Sequence, residues 1–136
     1  MKERLTVSSQ IGRFGNERGT RAERRVAAIV WGLIGTADCP PWLIGYEPAT
    51  PEEDSRGVDG WIETVDVGRI AVQFKSSEAG ANKARARKSS CKPVIVVVKS
   101  HQRDSLIFQR VIDPVAARRE LYLRERRERL LWRSRG

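Results

Sequence analysis

Histidine and cysteine are scarce in this sequence, which removes the commonest zinc sites from consideration. Its 136 residues include one histidine, His101, and two cysteines, Cys39 and Cys91, which are far apart and in no CxxC pair. A single histidine excludes mechanisms that need a histidine pair, and the cysteine spacing fits neither a metal motif nor a disulfide framework. We therefore expect both cysteines to be buried thiols of a protein in a reducing compartment.

A long hydrophobic run is also lacking. The longest aliphatic stretch, residues 94–98, is far too short to span a bilayer. The first six residues, MKERLT, contain no apolar signal core. We expect a cytoplasmic protein that has no membrane partner.

Positive charge is what the sequence has in excess. Lys and Arg number 26 against 17 Asp and Glu, a net charge of +9, and 20 of the 26 are Arg. The Arg guanidinium group is a planar fork of donors that suits phosphate, so a polyanion such as nucleic acid is the expected partner. The alternative is that Arg only keeps a small domain soluble. With 40% hydrophobic residues, the chain has the apolar material for one compact domain.

The hydrophobic pattern of the first half predicts a helix and a short strand. Residues 1–15 are polar and are predicted to form a flexible arm. Apolar residues at three- and four-residue steps predict a helix over 16–34 that ends at Gly35. A strand is expected at 42–46, followed by a loop that contains Pro48, Pro51 and the acidic residues 52–54.

The second half predicts a hairpin and a mixed sheet. Two strands, 58–65 and 69–76, are joined around Asp66-Val67-Gly68. We further expect a basic helix over 79–90, a buried strand over 94–98, a strand over 105–112 and an Arg-rich helix from Pro114 to about residue 133. This order predicts an α/β sandwich with a mixed central sheet flanked by helices, in one domain over residues 16–136.

The first candidate for chemistry is Asp59, which lies among glycines at the start of a predicted strand. Nearby glycine leaves room for a metal ion or a phosphate to approach the carboxylate, although Asp-Gly is also a common turn dipeptide. On the next strand, period-two alternation turns Gln73 and Lys75 to one face, which could also be a solvated face. A three-residue loop at 66–68 puts Asp59 opposite Lys75 on that face, whereas a two-residue loop puts it on the other.

A second carboxylate, Glu23, lies on the first predicted helix. Steps of four and three residues put Glu23 on one face with Ala27 and Val30, so its charge points toward packed structure and needs a partner. The alternative is a first-turn Glu favoured by the helix dipole. Glu17 is a rival for the same role.

Taken in chain order, Glu23 on a helix, Asp59 on a strand and Gln73-x-Lys75 on the next strand resemble the PD-(D/E)XK nuclease superfamily. The resemblance covers about residues 17–99. It is nearest to the branch of Mrr-type restriction nucleases and Holliday-junction resolvases, where a GxDG-like strand precedes an acidic-or-Gln, x, Lys strand. It implies a restriction-endonuclease-like fold and Mg²⁺-dependent hydrolysis of DNA, with Mn²⁺ as the other candidate ion.

The resemblance also implies a role for each residue. Asp59 is expected to be the principal metal ligand, Glu23 to hold the ion directly or through water, and Gln73 to offer its amide oxygen. Lys75 is expected to orient the attacking water or to stabilise the developing charge. Gln73 stands where most members carry Glu or Asp, and an amide brings no negative charge. A nuclease fold that binds DNA without cutting it is therefore the main alternative.

Phosphate contacts are assigned to the basic helix after the motif, on the residues Lys83, Arg85, Arg87 and Lys88. A solvated helix face is the alternative. The Arg-rich C-terminal helix could bind DNA or form a dimer through Leu123 and Leu130. We expect a homodimer that cuts branched or junction DNA, because the small chain has no separate domain for reading sequence. A restriction or repair nuclease and a basic RNA-binding module remain as other interpretations.

Overall fold

Residues 21–87 and 92–135 of the chain are described by this computed structural model. Their helices and strands follow the order α1 (Arg21–Leu33), β1 (Leu43–Pro48), α2 (Pro51–Ser55), β2 (Gly60–Thr64), β3 (Gly68–Lys75), α3 (Glu78–Ala86), β4 (Val94–Val97) and α4 (Asp104–Arg135). The strands form one sheet in the order β1-β2-β3-β4. β1 to β3 are antiparallel neighbours, and β4 is parallel to β3. The predicted α/β fold, a mixed sheet flanked by helices in a single domain, is confirmed.

One face of the sheet is buried against α1 and α4. β3 alternates buried and half-buried residues, with Ile70, Val72 and Phe74 on the buried side, as a period of two requires of a strand covered on that face. Helix α1 contributes Val26 and Val30. The buried residues of α4 are Ile107, Phe108, Val111, Ile112 and Val115. Together these side chains form the main hydrophobic core.

The predicted strand over residues 105–112 is wrong, because these residues belong to α4. Their buried positions recur at three- and four-residue steps, as on one face of a helix. The β-branched and aromatic residues of this stretch have high strand propensity, which packing against the sheet overrides. Pro114 lies inside α4, whereas the sequence predicted a helix start there. The helix continues through Pro114 although proline has no N–H to donate to the preceding turn.

The other predicted elements lie close to observed ones. Helix α1 ends at Leu33, and Gly35 follows with a φ of 85°, the left-handed backbone with which glycine ends a helix. The strands predicted at 42–46 and 94–98 are β1 and β4, and the basic helix predicted over 79–90 is α3. The predicted arm, the start of the first helix and residues 88–90 lie outside the described residues.

Residues 51–55, predicted as loop, form the short helix α2. The Thr50 hydroxyl accepts the Glu53 N–H at 3.2 Å, and the Glu53 carboxylate accepts the Thr50 N–H at 2.9 Å. Pro51 occupies the first turn, where a missing N–H costs nothing. This Thr-x-x-Glu capping box was visible in the sequence, and it is the signal for a helix start that the loop prediction missed.

The hairpin register differs from the predicted one by two residues. The loop is Val65-Asp66-Val67, and Thr64 pairs with Gly68, so the loop lies one residue earlier than predicted. Trp61 pairs with Ala71, where the sequence predicted Gln73. The pairing begins at Gly60, which lies opposite Val72, and the Asp59 N–H also donates to the Val72 carbonyl. A shift of two leaves the paired residues on their predicted faces. Asp59 lies just before the paired register, so its shared face with Gln73 and Lys75 stays a prediction.

Gly60 is required by the close approach of Tyr46. A Cβ atom built on Gly60 would overlap the Tyr46 ring and hydroxyl, and Tyr46 is buried in the core. We expect Gly60→Ala to lower the free energy of unfolding by about 2–3 kcal/mol, as overpacking does. The control is Gly32→Ala in α1, which meets open space and should add about 0.5–1 kcal/mol. Urea unfolding measures both, and equal stability of the two variants would contradict the packing argument.

The structure tests the expectations about the cysteines and about membrane spans only for the residues that it describes. Cys39 is buried, as expected, and burial raises the pKa of its thiol. Cys91 lies outside the described residues. None of the described helices has the length and apolar character that a membrane crossing needs.

Candidate metal centre

One edge of the sheet collects the chain segments that carry the candidate residues. β2 begins beside the end of β3 because these strands are antiparallel, and Pro48 at the end of β1 pairs with Gly60 at the start of β2. β4 is parallel to β3 and ends at the same edge. In open α/β sheets, ligands bind outside the carboxyl ends of parallel strands. We call this edge the site edge.

Asp59 is fixed at the site edge where β2 and β3 separate. Its backbone N–H donates to the Val72 carbonyl at 2.9 Å, and its Oδ2 accepts the Phe74 N–H at 2.7 Å. The carboxylate thus takes the place of the next backbone acceptor in the ladder. Because a carboxylate can accept several donors or ligands at once, this hydrogen bond fixes its direction without exhausting it.

Three carboxylates meet at the site edge, those of Glu23, Asp54 and Asp59. One oxygen of each lies within 4.8 Å of the others, and all three side chains are half-buried. Like charges at this distance repel and favour a bound cation or a shared proton. We call the three residues the carboxylate cluster. The sequence had assigned Glu23 and Asp59 to one site, and its rival residue, Glu17, lies outside the described part of the chain.

Asp54 is the member of the cluster that the sequence prediction missed. It lies in α2, and the chain returns to β2 through a turn in which the Gly57 N–H donates to the Asp54 carbonyl at 3.0 Å. Gly57 has a φ of 90°, which glycine adopts without strain. The turn brings Asp54 beside Asp59. The available signal was the capping box at Thr50, since a helix there gives Asp54 a defined direction.

Burial and the neighbouring Asp54 carboxylate raise the pKa of Asp59 to about 6. The Phe74 N–H and the Lys75 ammonium group oppose this rise, because both stabilise the charged form. Protons and metal ions therefore compete for Asp59 in the range around pH 6.

Tyr46 lies close to the cluster on its core side. Its phenol is buried, and burial together with the negative charges of Glu23 and Asp59 raises its pKa. The hydroxyl therefore stays neutral at physiological pH. Tyr46 adds no charge to the cluster, and its low-dielectric surroundings strengthen the electrostatic interactions there.

Gln73 and Lys75 lie on the sheet face predicted for them. A Cβ atom on Gly57 would lie 3.3 Å from Gln73 Nε2, so the Gln73 amide packs against the turn between Asp54 and Asp59. Lys75 ends β3, is half-buried, and is close enough to Asp59 for its charge to lower the pKa of that carboxyl group. The structure therefore brings the four predicted site residues to one edge and adds Asp54.

Of the basic residues assigned to DNA binding, the structure describes three, and they lie on α3 or just after it. Lys83 and Arg85 are exposed on α3, Arg87 is exposed just after it, and Lys88 lies outside the described residues. α3 starts at the site edge and carries the chain back toward the edge where β4 begins. Its last residues consequently lie toward the far edge. Arg85 lines a groove against α4 and not the carboxylate cluster.

Comparison with known proteins does not identify a family for this chain, so a function has to be argued from the side chains of the site edge. No family model matches the chain, and no curated protein and no solved structure matches it.

The raised pKa of Asp59 makes the stability of the metal-free protein fall with rising pH. Because the pKa is about 6 in the folded state against an ordinary 3.8, the folded state binds more protons between these values. The stabilising contribution is fully present below about pH 4 and is lost as the pH rises through about 6. Asp59→Asn keeps an oxygen for the Phe74 N–H and cannot ionise.

We therefore expect Asp59→Asn to be more stable than the wild type at pH 8 in EDTA, by about 1–2 kcal/mol after allowance for solvent screening. The advantage should shrink toward pH 4. Urea unfolding at both pH values measures it. A stability difference that is the same at both would contradict the assigned titration.

Proposed function

We propose that this protein is a divalent-metal-dependent DNA endonuclease with a restriction-endonuclease-like fold. The observation that carries the proposal is the meeting of three carboxylates with Lys75 at the carboxyl edge of a mixed sheet. The order of the residues supports a relationship to the PD-(D/E)XK nucleases. A helix carboxylate comes first, then a strand Asp, then Gln-x-Lys on the next strand.

The carboxylate cluster fits a hard cation. Mg²⁺ binds oxygen ligands at about 2.1 Å, so two ligands of one ion lie at most about 4.2 Å apart. The cluster oxygens lie within 4.8 Å of one another, and small side-chain rotations bring them to the shorter distance. Oxygen-only ligands favour Mg²⁺ or Mn²⁺. When bound, such an ion would lower the pKa of a water molecule and polarise a phosphate oxygen.

The chain's own residues supply the remaining parts of the reaction. Asp59, whose direction the Phe74 N–H fixes, would be the principal ligand. Glu23 and Asp54 would complete the ligand set. Lys75 presents an ammonium group near Asp59, where it would orient the attacking water and stabilise the charge that develops on the phosphate.

Asp54 offsets the charge that Gln73 lacks. An amide at position 73 leaves the site one negative charge short of the arrangement that most of the resembled family carries. The third carboxylate of the cluster comes from Asp54 instead. Gln73 packs against Gly57 in the turn that follows α2, and it would offer an uncharged oxygen to the ion. This supply of charge favours an active enzyme over a nuclease fold that only binds DNA.

The proposal extends to branched DNA as the substrate, cut by a homodimer in the cytoplasm. α4 continues past the core, and its residues from 124 to 135 are exposed. They include Leu130, Leu131 and Trp132, and three large exposed apolar side chains within one helical turn favour a surface that a second copy covers. The free thiol of Cys39 is consistent with a reducing compartment. Sedimentation equilibrium of the full chain measures the dimer directly.

Cleavage of a labelled panel tests the proposed function. The substrates are a four-way junction, a flap, a single strand, a linear duplex and an RNA hairpin, each with Mg²⁺, Mn²⁺ or EDTA. We expect metal-dependent cutting of the junction in preference to the linear duplex, and none in EDTA. Preference for linear duplex would overturn the branched substrate, and cutting of RNA alone would overturn DNA. Binding without cutting in either metal would leave a DNA-binding protein.

A further inference from the structure

A cleft of about 630 Å³ opens at the site edge, where β3 and β4 end. It lies between the first turn of α1, the end of β3 and the loop that joins β4 to α4, and its lining includes Arg21, Ser76, Lys99, Ser100 and His101. Ser76 directly follows the Lys75 of the candidate site, and Arg21 is two residues before Glu23. The cleft therefore lies next to the segments of α1 and β3 that carry Glu23 and Lys75.

The loop that forms one wall of the cleft is tied to α1. Arg25 donates to the Ser100 carbonyl at 3.0 Å and to the Gln102 carbonyl, and its Nε donates to Asp104 Oδ1 at 3.0 Å. Within the loop, the buried Gln102 side chain accepts the Lys99 N–H at 2.9 Å, and the Gln102 N–H donates to the Lys99 carbonyl at 3.1 Å. The backbone at Lys99 is thus held in place relative to α1 before any ligand binds.

The cleft lining is cationic and rich in donors. Arg21 and Lys99 each bring a positive charge, Ser76 and Ser100 bring hydroxyl groups, and His101 is the histidine that the candidate metal site does not use. Among the residues described as lining the cleft, none is acidic. Charged donors and hydroxyls around an open space are the groups that bind phosphate oxygens.

We propose that this cleft binds the phosphate next to the scissile phosphate on the strand being cut. The inference rests on the proposed function, and it places the first phosphate contacts at Arg21, Lys99 and His101 instead of on α3. A nucleic-acid strand carries one phosphate per nucleotide, so a strand whose scissile phosphate lies at the cluster presents a neighbouring phosphate nearby. The tied loop means that this contact needs little ordering on binding, which preserves affinity.

Kinetics of the Lys99→Ala variant test the cleft. Alanine keeps the backbone groups that bind Gln102, so the loop is retained. We expect KM for the preferred DNA substrate to rise about tenfold, the equivalent of one lost charged contact, with kcat within about twofold. The matched control is Arg103→Ala, which removes the same charge from an exposed residue that does not line the cleft. His101→Gln, also exposed, should raise KM by a smaller factor of about three.

A chemically altered substrate identifies the phosphate concerned. Each of the two phosphates next to the cleavage position is replaced, one at a time, by an uncharged methylphosphonate. At one of the two neighbouring positions, the change should raise KM of the wild type about tenfold and leave KM of Lys99→Ala almost unchanged. Such non-additivity is the signature of two groups in contact. The Arg103→Ala protein should respond as the wild type does.

The outcomes separate the inference from the proposed function. If the wild type cuts DNA and Lys99→Ala behaves as Arg103→Ala does, the cleft is not a phosphate site and the nuclease proposal is untouched. If methylphosphonate effects at both neighbouring positions simply add to that of Lys99→Ala, the contact is likewise refuted. If the wild type neither binds nor cuts nucleic acid, the inference and the proposed function both fail.

Discussion

Asp59→Asn is expected to lower the rate of Mg²⁺-dependent DNA cleavage by about a thousandfold, which corresponds to about 4 kcal/mol in the activation free energy. The asparagine keeps an oxygen for the Phe74 N–H, so the local fold of the site edge is retained. What the variant loses is the charge of the principal ligand. The rate is measured by single-turnover cleavage of the preferred substrate at saturating enzyme.

A second carboxylate variant decides whether the cluster acts as one ligand set. Asp54→Asn should lower the same rate by about a hundredfold, because it removes one of the three charges. The control is Asp113→Asn, an exposed carboxylate on α4 that lies outside the cluster, and it should cut at the wild-type rate. If Asp54→Asn cut DNA at the wild-type rate, Asp54 would be only a structural neighbour of the site. It would then not supply the negative charge that Gln73 lacks.

Lys75→Met is expected to lower the cleavage rate by about a hundredfold or more while the protein still binds the metal. Methionine keeps an unbranched apolar chain and removes the ammonium group that would stabilise the developing charge. The Lys75 charge also lowers the pKa of Asp59, so the residual activity of the variant should need a higher pH than the wild type. Cleavage rates from pH 5 to pH 9 and Mn²⁺ titration of the DNA-free protein measure the two effects.

The matched control for Lys75 is Lys83→Met on α3. Lys83 is exposed and lies in the helix that leaves the site edge, so its replacement should change neither the rate nor the acid limb of the pH profile. If Lys75→Met lost metal binding together with cleavage, Lys75 would be a support of the carboxylate cluster and not a group that acts on the phosphate.

The predictable part of the fold was the part in which local pattern and burial agree. The strict alternation of Ile70, Val72 and Phe74 predicts β3 and the shared face of Gln73 and Lys75, and both are observed. The hairpin loop was placed one residue late. Because the resulting error in register is two residues and not one, the paired residues of β2 and β3 keep their predicted faces.

The parts that sequence patterns missed depend on contacts between distant segments. The start of α4 has strand-like composition and becomes a helix because it packs against the sheet. Asp54 joins the carboxylate cluster only because the turn at Gly57 folds α2 back onto the start of β2. The hydrogen bonds between Arg25 and the loop at Ser100 and Gln102 join residues about 75 positions apart in the chain. No local sequence pattern predicts them.

The most direct test of the metal centre is anomalous diffraction from crystals of the protein soaked in Mn²⁺ above pH 7, where Asp59 is ionised. We expect one strong anomalous peak at the carboxylate cluster, within about 2.2 Å of oxygen atoms from Asp59 and from Glu23 or Asp54. The peak should be absent from crystals of Asp59→Asn. A protein that cuts DNA in Mn²⁺ but shows its anomalous peak away from these three carboxylates, or none at all, would contradict the assignment.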